Sequence, residues 1–284
     1  MKELLRAAFS QFEKNQIATV DAEILLAHLL GVSRKQIHSQ IIELSDSDRE
    51  NISAEYNELI NQRLLGRPVQ YITASAPFRY LDLEVGEGVL IPRPETELII
   101  DRVIGYLNSD AEKDLPKSVV DLGAGSGAIS IAIASEAALK GLKVSMVAVE
   151  KSSEAAVWLN KNIAKYDLPI RVVIEDVQTA LPDVKADLVV ANPPYIPDDE
   201  KLPTEVANYE PVAALFGGAV DGMQIPKLFI TAAERLLKPG GFFIMEHHEK
   251  QGELVRDALS AQFSNAQTHA DLNGRDRFTS ARKR

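Results

Sequence analysis

The constraint that narrows the fold most is an alternation beginning at Ser118. Apolar runs at 118–121, 144–149, 170–175, 186–191 and 241–246 read as buried strands, and the stretches between them carry helical periodicity. Strands alternating with helices predict an α/β fold, with a mostly parallel sheet covered on both faces. The last intervening helix is expected to stop at Lys238-Pro239-Gly240-Gly241. Asn273-Gly274 divides two final extended runs and reads as a tight hairpin turn. The final strand is therefore expected to run antiparallel to its neighbour.

Ligands of open α/β sheets bind beyond the carboxyl ends of the strands, so the loops there carry the functional signal. Asp121-Leu122-Gly123-Ala124-Gly125-Ser126-Gly127 closes the first of these strands and opens a helix. Its glycines let the backbone turn sharply and approach a ligand. Glu150 ends the next strand, where a carboxylate can accept both hydroxyls of a ribose. Asp176-Val177, after the third, pairs a polar and an apolar side chain that could grip an adenine; a helix N-cap is the plain alternative for Asp176. No Gly-Lys-Ser/Thr follows the glycines, so the loop is not a P-loop. A dinucleotide oxidoreductase stays open. Asp121, however, would repel a pyrophosphate and suits the cationic amino-acid end of S-adenosylmethionine.

After the strand at 186–191 comes Asn192-Pro193-Pro194-Tyr195. Two prolines stop the strand and stiffen the chain beyond it, because each fixes φ and lacks an N–H. The Asn192 side-chain oxygen and the Pro193 carbonyl could together accept both hydrogens of a planar NH2 group, with Tyr195 packed on its plane. A strand followed by a proline-rich turn is the plain alternative.

Residues 1–75 read as short helices. Leu4, Leu5, Ala8, Phe9 and Phe12 have helical spacing, and the stripe Leu25, Leu26, Leu29, Leu30 ends at Gly31, a C-terminal cap glycine. Ser33 with Gln36 and Ser47 with Glu50 fit capping boxes, and the helix begun near Ser47 should run to Leu65. This region reads as a helical substrate-recognition module. Residues 76–92 read as a linking β-hairpin turning at Gly86-Glu87-Gly88 before Val89-Leu90-Ile91. The third segment is 93–284. Pro92-Arg93-Pro94 makes a rigid corner, and Pro94 and Glu95 suit the first turn of a helix running to about Leu107.

There is no cysteine, which excludes disulfides and cysteine-bound metal and suits a reducing cytoplasm. The N-terminal stretch does not read as a signal peptide, and no apolar run is long enough to span a membrane. Residues 1–80 are nearly balanced, so most of the net charge of −10 falls on the remainder, a surface that repels nucleic-acid phosphates. The basic tail Arg275, Arg277, Arg282, Lys283, Arg284 reads as a solvated end. His247-His248 suggest a metal pair, but adjacent strand residues point to opposite faces, so no metal site is expected.

At these residues the chain resembles a known family. The glycine loop, Glu150 and the sheet pattern resemble a Rossmann-like methyltransferase, and Asn-Pro-Pro-Tyr resembles enzymes that methylate planar amino groups. Gly66-Arg67-Pro68-Val69-Gln70-Tyr71-Ile72, Leu90-Ile91-Pro92-Arg93-Pro94-Glu95-Thr96-Glu97, Tyr209-Glu210-Pro211, Gly217-Gly218 and Asp221-Gly222 are similar to the PrmC (HemK) family over about residues 20–280. That resemblance implies an S-adenosylmethionine-dependent methyltransferase acting on the glutamine of the Gly-Gly-Gln motif in bacterial peptide chain release factors. It implies that Gly123, Gly125 and Glu150, with Asp121, Ala124, Ser126, Gly127, Asp176, Val177 and Asn192, hold the cofactor. It places Pro92, Arg93, Pro94, Glu95 and Glu97 at the substrate entrance beside Asn192, Pro193, Pro194 and Tyr195. Asn192, Pro193 and Tyr195 would carry the chemistry. The chain departs from the family at Ala74, commonly glycine, and at His247-His248, where a glycine tends to precede the glutamine matched by Gln251. A cytoplasmic monomer is expected, with no direct nucleic-acid or membrane partner. The alternatives are a nucleic-acid amino methyltransferase and a non-catalytic binding module.

Overall fold

The computed structural model describes residues 2–39, 46–109 and 115–284. Five helices come first: α1 (Lys2–Lys14), α2 (Thr19–Leu30), α3 (Arg34–Ser39), α4 (Asp46–Leu64) and α5 (Val69–Thr73). Strands β1 (Ser75–Phe78) and β2 (Leu81–Glu84) pair as a small sheet, and a short 3-10 turn at Pro94–Thr96 leads into α6 (Glu97–Ser109). Next come β3 (Lys117–Leu122), α7 (Ala128–Leu139), β4 (Val144–Glu150), α8 (Ser153–Tyr166), β5 (Ile170–Ile174) and β6 (Ala186–Ala191). The chain continues through α9 (Thr204–Tyr209), α10 (Gln224–Leu236), β7 (Leu237–Glu246), α11 (Gly252–Leu259), β8 (Phe263–Ala270) and β9 (Asp276–Lys283). It forms two compact units, Met1–Ser75 with Leu202–Tyr209, and Ala76–Lys201 with Glu210–Arg284.

In the first unit, Leu5, Ala8 and Phe12 bury one face of α1 against Leu25 and Leu26 of α2 and Tyr56 and Ile60 of α4. Gly31 ends α2 with φ 62°, the left-handed cap expected of it. The Ser33 N–H donates to Gln36 Oε1 at 2.8 Å, one half of the expected capping box. The Ser47 side chain lies outside the described residues. Arg63 of α4 donates to buried Asp21 at 2.8 Å and pairs with Glu205 of α9 at 2.7 Å, so the late segment 202–209 belongs to this unit.

The second unit is a seven-stranded sheet in the order β5-β4-β3-β6-β7-β9-β8. The first five strands are parallel, while β9 runs antiparallel to β7 and β8. One face packs Val119, Leu188 and Ile244 against Ile99, Ile100 and Val103 of α6 and Ile131 of α7. The other packs Val120, Val189 and Phe243 against Phe229 and Ala233 of α10 and Leu259 of α11. Each fully buried large apolar side chain contributes about 1.5–3 kcal/mol. Strand order reverses between β3 and β6, so the loops after these two strands flank one crevice.

Beyond the basic tail, which forms β9 between β7 and β8 rather than a solvated end, two expectations need correcting. The hairpin turns at Arg79-Tyr80, not at Gly86-Glu87-Gly88, and Val89–Ile91 forms no strand. Arg79 takes φ 55°, a conformation disfavoured for a side-chain-bearing residue. Carboxylates hold it there: its N–H donates to Glu97 at 3.0 Å and its guanidinium pairs with Asp101 and Glu136, each at 2.8 Å. Gly86 instead serves close packing, since a Cβ on it would stand 2.4 Å from the Trp158 ring. The second correction concerns α10, which stops at Leu236; Lys238-Pro239-Gly240-Gly241 is the first half of β7, with a register shift against β6. Gly241 is needed there because a Cβ would meet Lys238 O at 2.9 Å.

Candidate active site

The two loops at the sheet's reversal point border one cavity of about 740 Å³. The loop after β3 is tied to β4 by Gly123 and Ala124 N–H groups donating to Val149 O at 2.9 and 3.0 Å. Its three glycines all have positive φ but meet different surroundings. A Cβ on Gly127 would stand 2.7 Å from Leu159, and one on Gly123 would stand 3.1 Å from Phe229. A Cβ on Gly125 would meet nothing within 4 Å, because that position opens to the cavity. Gly125 is therefore the glycine whose bareness leaves room for a ligand.

Glu150 closes the floor. Its Oε2 accepts from the Gly125 N–H at 2.8 Å and its Oε1 from the Ser152 N–H at 2.7 Å. Each oxygen keeps a lone pair for a further donor, so both loops are braced by a carboxylate that can still take two hydroxyls. Asp176 and Val177 line the same cavity. Asp176 is paired with Lys151 at 2.8 Å and accepts from the Gln178 N–H at 3.0 Å, which together hold its pKa below the usual carboxylate range. It caps a turn rather than a helix.

Asp121 is fully buried and does not border the cavity. Ser130 Oγ donates to its Oδ2 at 2.5 Å, while Oδ1 has no partner. Burial pushes its pKa up to about 7, and nearby Glu150 adds to the rise. An unpartnered, desolvated carboxylate oxygen behind the glycine loop suits a cationic ligand group.

On the opposite wall stand Asn192, Pro194, Pro92, Arg93 and Thr96. The Asn192 Nδ2 donates to Thr96 Oγ1 at 3.3 Å, and Thr96 donates to Glu246 Oε2 at 2.6 Å. Tyr195 donates its hydroxyl to the other oxygen of Glu246 at 2.9 Å. Burial raises the pKa of Glu246, and burial with the adjacent Glu246 charge raises that of Tyr195, which stays a neutral donor. The corner at 91–93 is fastened separately: buried Glu210 accepts from the Ile91 N–H at 3.1 Å and from Arg93 at 2.6 Å. Pro193, Tyr195, Pro94, Glu95, Glu97 and Gly127 do not line the cavity. Glu97 instead accepts from the Arg79 N–H and so braces the hairpin turn.

His247 and His248 turn to different partners. His247 Nδ1 donates to His248 O and its Nε2 accepts from Thr279 Oγ1, both at 2.9 Å, and burial lowers its pKa. His248 Nε2 faces Glu200 at 3.2 Å. Gln251 donates to the carbonyls of Tyr195 and Asp221 at 2.8 and 2.7 Å, pinning the segment after Asn192. Among the described residues no cluster of three or more His, Cys, Asp or Glu could hold a metal ion.

Comparison with known proteins settles the family. The PrmC N-terminal domain matches residues 3–73, and the methyltransferase small domain matches residues 99–208. The release factor glutamine methyltransferase of Bifidobacterium longum is 38% identical, covering 97% of this chain and 97% of that protein. The chain belongs to the release factor glutamine methyltransferase family. Proteins of that name from Streptomyces coelicolor, 39% identical over 93% of this chain and 90% of theirs, and Chlorobaculum tepidum, 35% identical over 97% and 94%, extend the relationship. Among solved structures, the Thermus thermophilus 16S rRNA N2 G1207 methyltransferase is 21% identical, with a TM-score of 0.51 over 74% of this chain and 50% of that one. At that identity it supports the fold alone. Two members of this site, Thr96 and Glu246, were not among the residues singled out from sequence. Thr96 lies inside the Pro92–Glu97 corner, and Glu246 is an acid ending an apolar strand run, the same signal that marked Glu150.

Proposed function

We propose that this chain transfers the methyl group of S-adenosylmethionine to the side-chain amide nitrogen of a glutamine, in the Gly-Gly-Gln motif of peptide chain release factors. The observation that carries the reading is one cavity bordered by the bare Gly125 and Glu150 on one side and by Asn192 on the other. Glu150 would take the ribose hydroxyls and Asp176 with Val177 the adenine. Asp121, buried behind the glycine loop and outside the cavity lining, would act on the cofactor's ammonium group through its charge rather than by contact. When bound, that cofactor supplies an electrophilic methyl on a sulfonium.

An amide nitrogen is a poor nucleophile because its lone pair is delocalised, so positioning must supply much of the rate. Asn192 Oδ1 and the Pro193 carbonyl accept the two N–H bonds of the substrate amide and aim its nitrogen. They also stabilise the positive charge that develops there. Tyr195, held through its hydroxyl by Glu246, is assigned the amide plane. An N-protonated amide is a strong acid and gives its proton to water, so no dedicated base is required. Pro92 and Arg93, which line the cavity, shape the entrance.

The unit containing α1–α5 is proposed to recognise the protein substrate. We place the enzyme in the cytoplasm as a monomer that does not bind nucleic acid directly; among the described residues no helix is long and apolar enough to cross a membrane. The test is incubation with methyl-labelled S-adenosylmethionine and either a release factor or DNA. Label in the release factor glutamine supports the reading, and label in DNA or in neither polymer overturns it.

A further inference from the structure

Glu246 ends β7 with 1% of its surface exposed, and both of its oxygens face hydroxyl groups. An ionised carboxylate only accepts hydrogen bonds. With Glu246 charged, the Thr96 and Tyr195 hydroxyl protons must both point at it. Thr96 Oγ1 then has only lone pairs left for Asn192, and it lies 3.3 Å from the Asn192 amide nitrogen. The Asn192 amide is thereby obliged to turn its NH2 toward Thr96 and its Oδ1 the other way.

We infer that Glu246 is a positioning residue for methyl transfer, fixing through Thr96 which end of the Asn192 amide meets the substrate. This rests on the functional reading above. The two ends of an asparagine amide are nearly equal in size, so packing alone does not choose between them. The choice matters, because a flipped Asn192 would present N–H donors to the N–H donors of a substrate amide. A one-way chain, Asn192 to Thr96 to Glu246, excludes that orientation for as long as its terminus only accepts.

The charge of Glu246 is what keeps the chain one-way. Burial raises its pKa, the hydroxyls of Thr96 and Tyr195 and the charge of Arg277 on β9 oppose that rise, and Glu95 adds to it. Once protonated, Glu246 donates through one oxygen. Thr96 can then donate to Asn192 Oδ1, and the amide flips. Methyl transfer should therefore rise with pH as Glu246 ionises. Glu246→Gln should mimic the protonated form and lack that acid limb.

The experiment uses the full chain carrying Glu246→Gln, Thr96→Val or Thr96→Ser, with a Gly-Gly-Gln peptide as the methyl acceptor. Three quantities are read: single-turnover rate against pH, cofactor affinity, and peptide affinity in the presence of S-adenosylhomocysteine. Glu246→Gln and Thr96→Val should slow transfer and weaken peptide binding, by about 10- to 100-fold in rate, the range of one lost or reversed buried hydrogen bond. Cofactor affinity should stay within about twofold, and Thr96→Ser, which keeps the hydroxyl, should restore the wild-type rate within about threefold, less than half a hydrogen bond. Thr96→Val at the wild-type rate and peptide affinity overturns the inference, as does a Thr96→Ser variant as impaired as Thr96→Val. Where Glu246→Gln does not fold, the wild-type pH profile decides for Glu246, and a single-turnover rate that does not rise with pH overturns the inference. Wild-type enzyme that leaves the peptide glutamine unmethylated overturns the functional reading and takes the inference with it.

Discussion

The role proposed for Asp121 predicts that cofactor binding is coupled to pH. Burial raises its pKa to about 7, against 3.8 for an unstructured carboxyl. The folded protein thus holds this proton more tightly than the unfolded chain does. Its contribution to stability is complete below about pH 4 and is lost as pH rises through about 7. Roughly three pH units at 1.36 kcal/mol each make ionised Asp121 cost about 4 kcal/mol at pH 8. A bound ammonium group would offset that cost by favouring the carboxylate. If binding carries the pKa well below 5, affinity for S-adenosylmethionine should tighten about 50-fold between pH 5 and 7, the ratio of the ionised fractions. At pH 6 nearly one proton should be released per cofactor bound. Calorimetry in two buffers of different ionisation enthalpy counts that proton. Asp121→Asn should abolish the release, flatten the affinity profile and stabilise the free protein at pH 8 but not at pH 4. A dissociation constant that is flat from pH 5 to 7, with no buffer dependence, refutes the coupling.

Gly125→Val should weaken cofactor binding more than about tenfold, since it fills the cradle and puts a β-branched residue at φ 56°, a conformation costing an L-residue about 1–2 kcal/mol; titration calorimetry reports it. Asn192→Ala should lower kcat by about 100-fold or more, comparable to losing one preorganised hydrogen-bonding group, while cofactor affinity changes little; single-turnover methylation with parallel binding separates the two. Ala74 holds the left-handed cap of α5 at φ 51°, so Ala74→Gly should stabilise the chain by up to about 1 kcal/mol in urea unfolding. Removing residues 1–75 and bridging 202–209 with a short linker should raise KM for a release factor far more than the cofactor dissociation constant. An unchanged KM would remove the recognition role.

What the sequence made legible were the features that repeat a local rule. The sheet followed from apolar runs of strand length, the Gly31 cap from its place after a leucine stripe, and the antiparallel last strand from Asn273-Gly274. The Gly86-Glu87-Gly88 error arose because a glycine needed for contact with Trp158 looks the same in sequence as one needed for a turn. The turn that does form uses Arg79, whose positive φ is held by Glu97, Asp101 and Glu136, and those long-range partners leave no local signature. That Gly125 and Glu150 border one cavity was legible because both sit at fixed offsets from strand ends. The Thr96–Glu246 link was not, because it joins residues 150 positions apart through a single hydrogen bond.

The helical unit is built from two separate stretches of chain, since α9 returns to it long after α5. Arg63 holds Glu205 of that return, and the Tyr209 hydroxyl donates to Leu65 O at 3.3 Å. A single recombination crossover near residue 75 would exchange the first stretch and keep the second, stranding Glu205 and Tyr209 opposite a foreign surface. Two matched crossovers are needed to transplant the unit whole. Any exchange of the helical unit between relatives must therefore move both stretches together to keep the Arg63–Glu205 pair and the Tyr209 hydrogen bond.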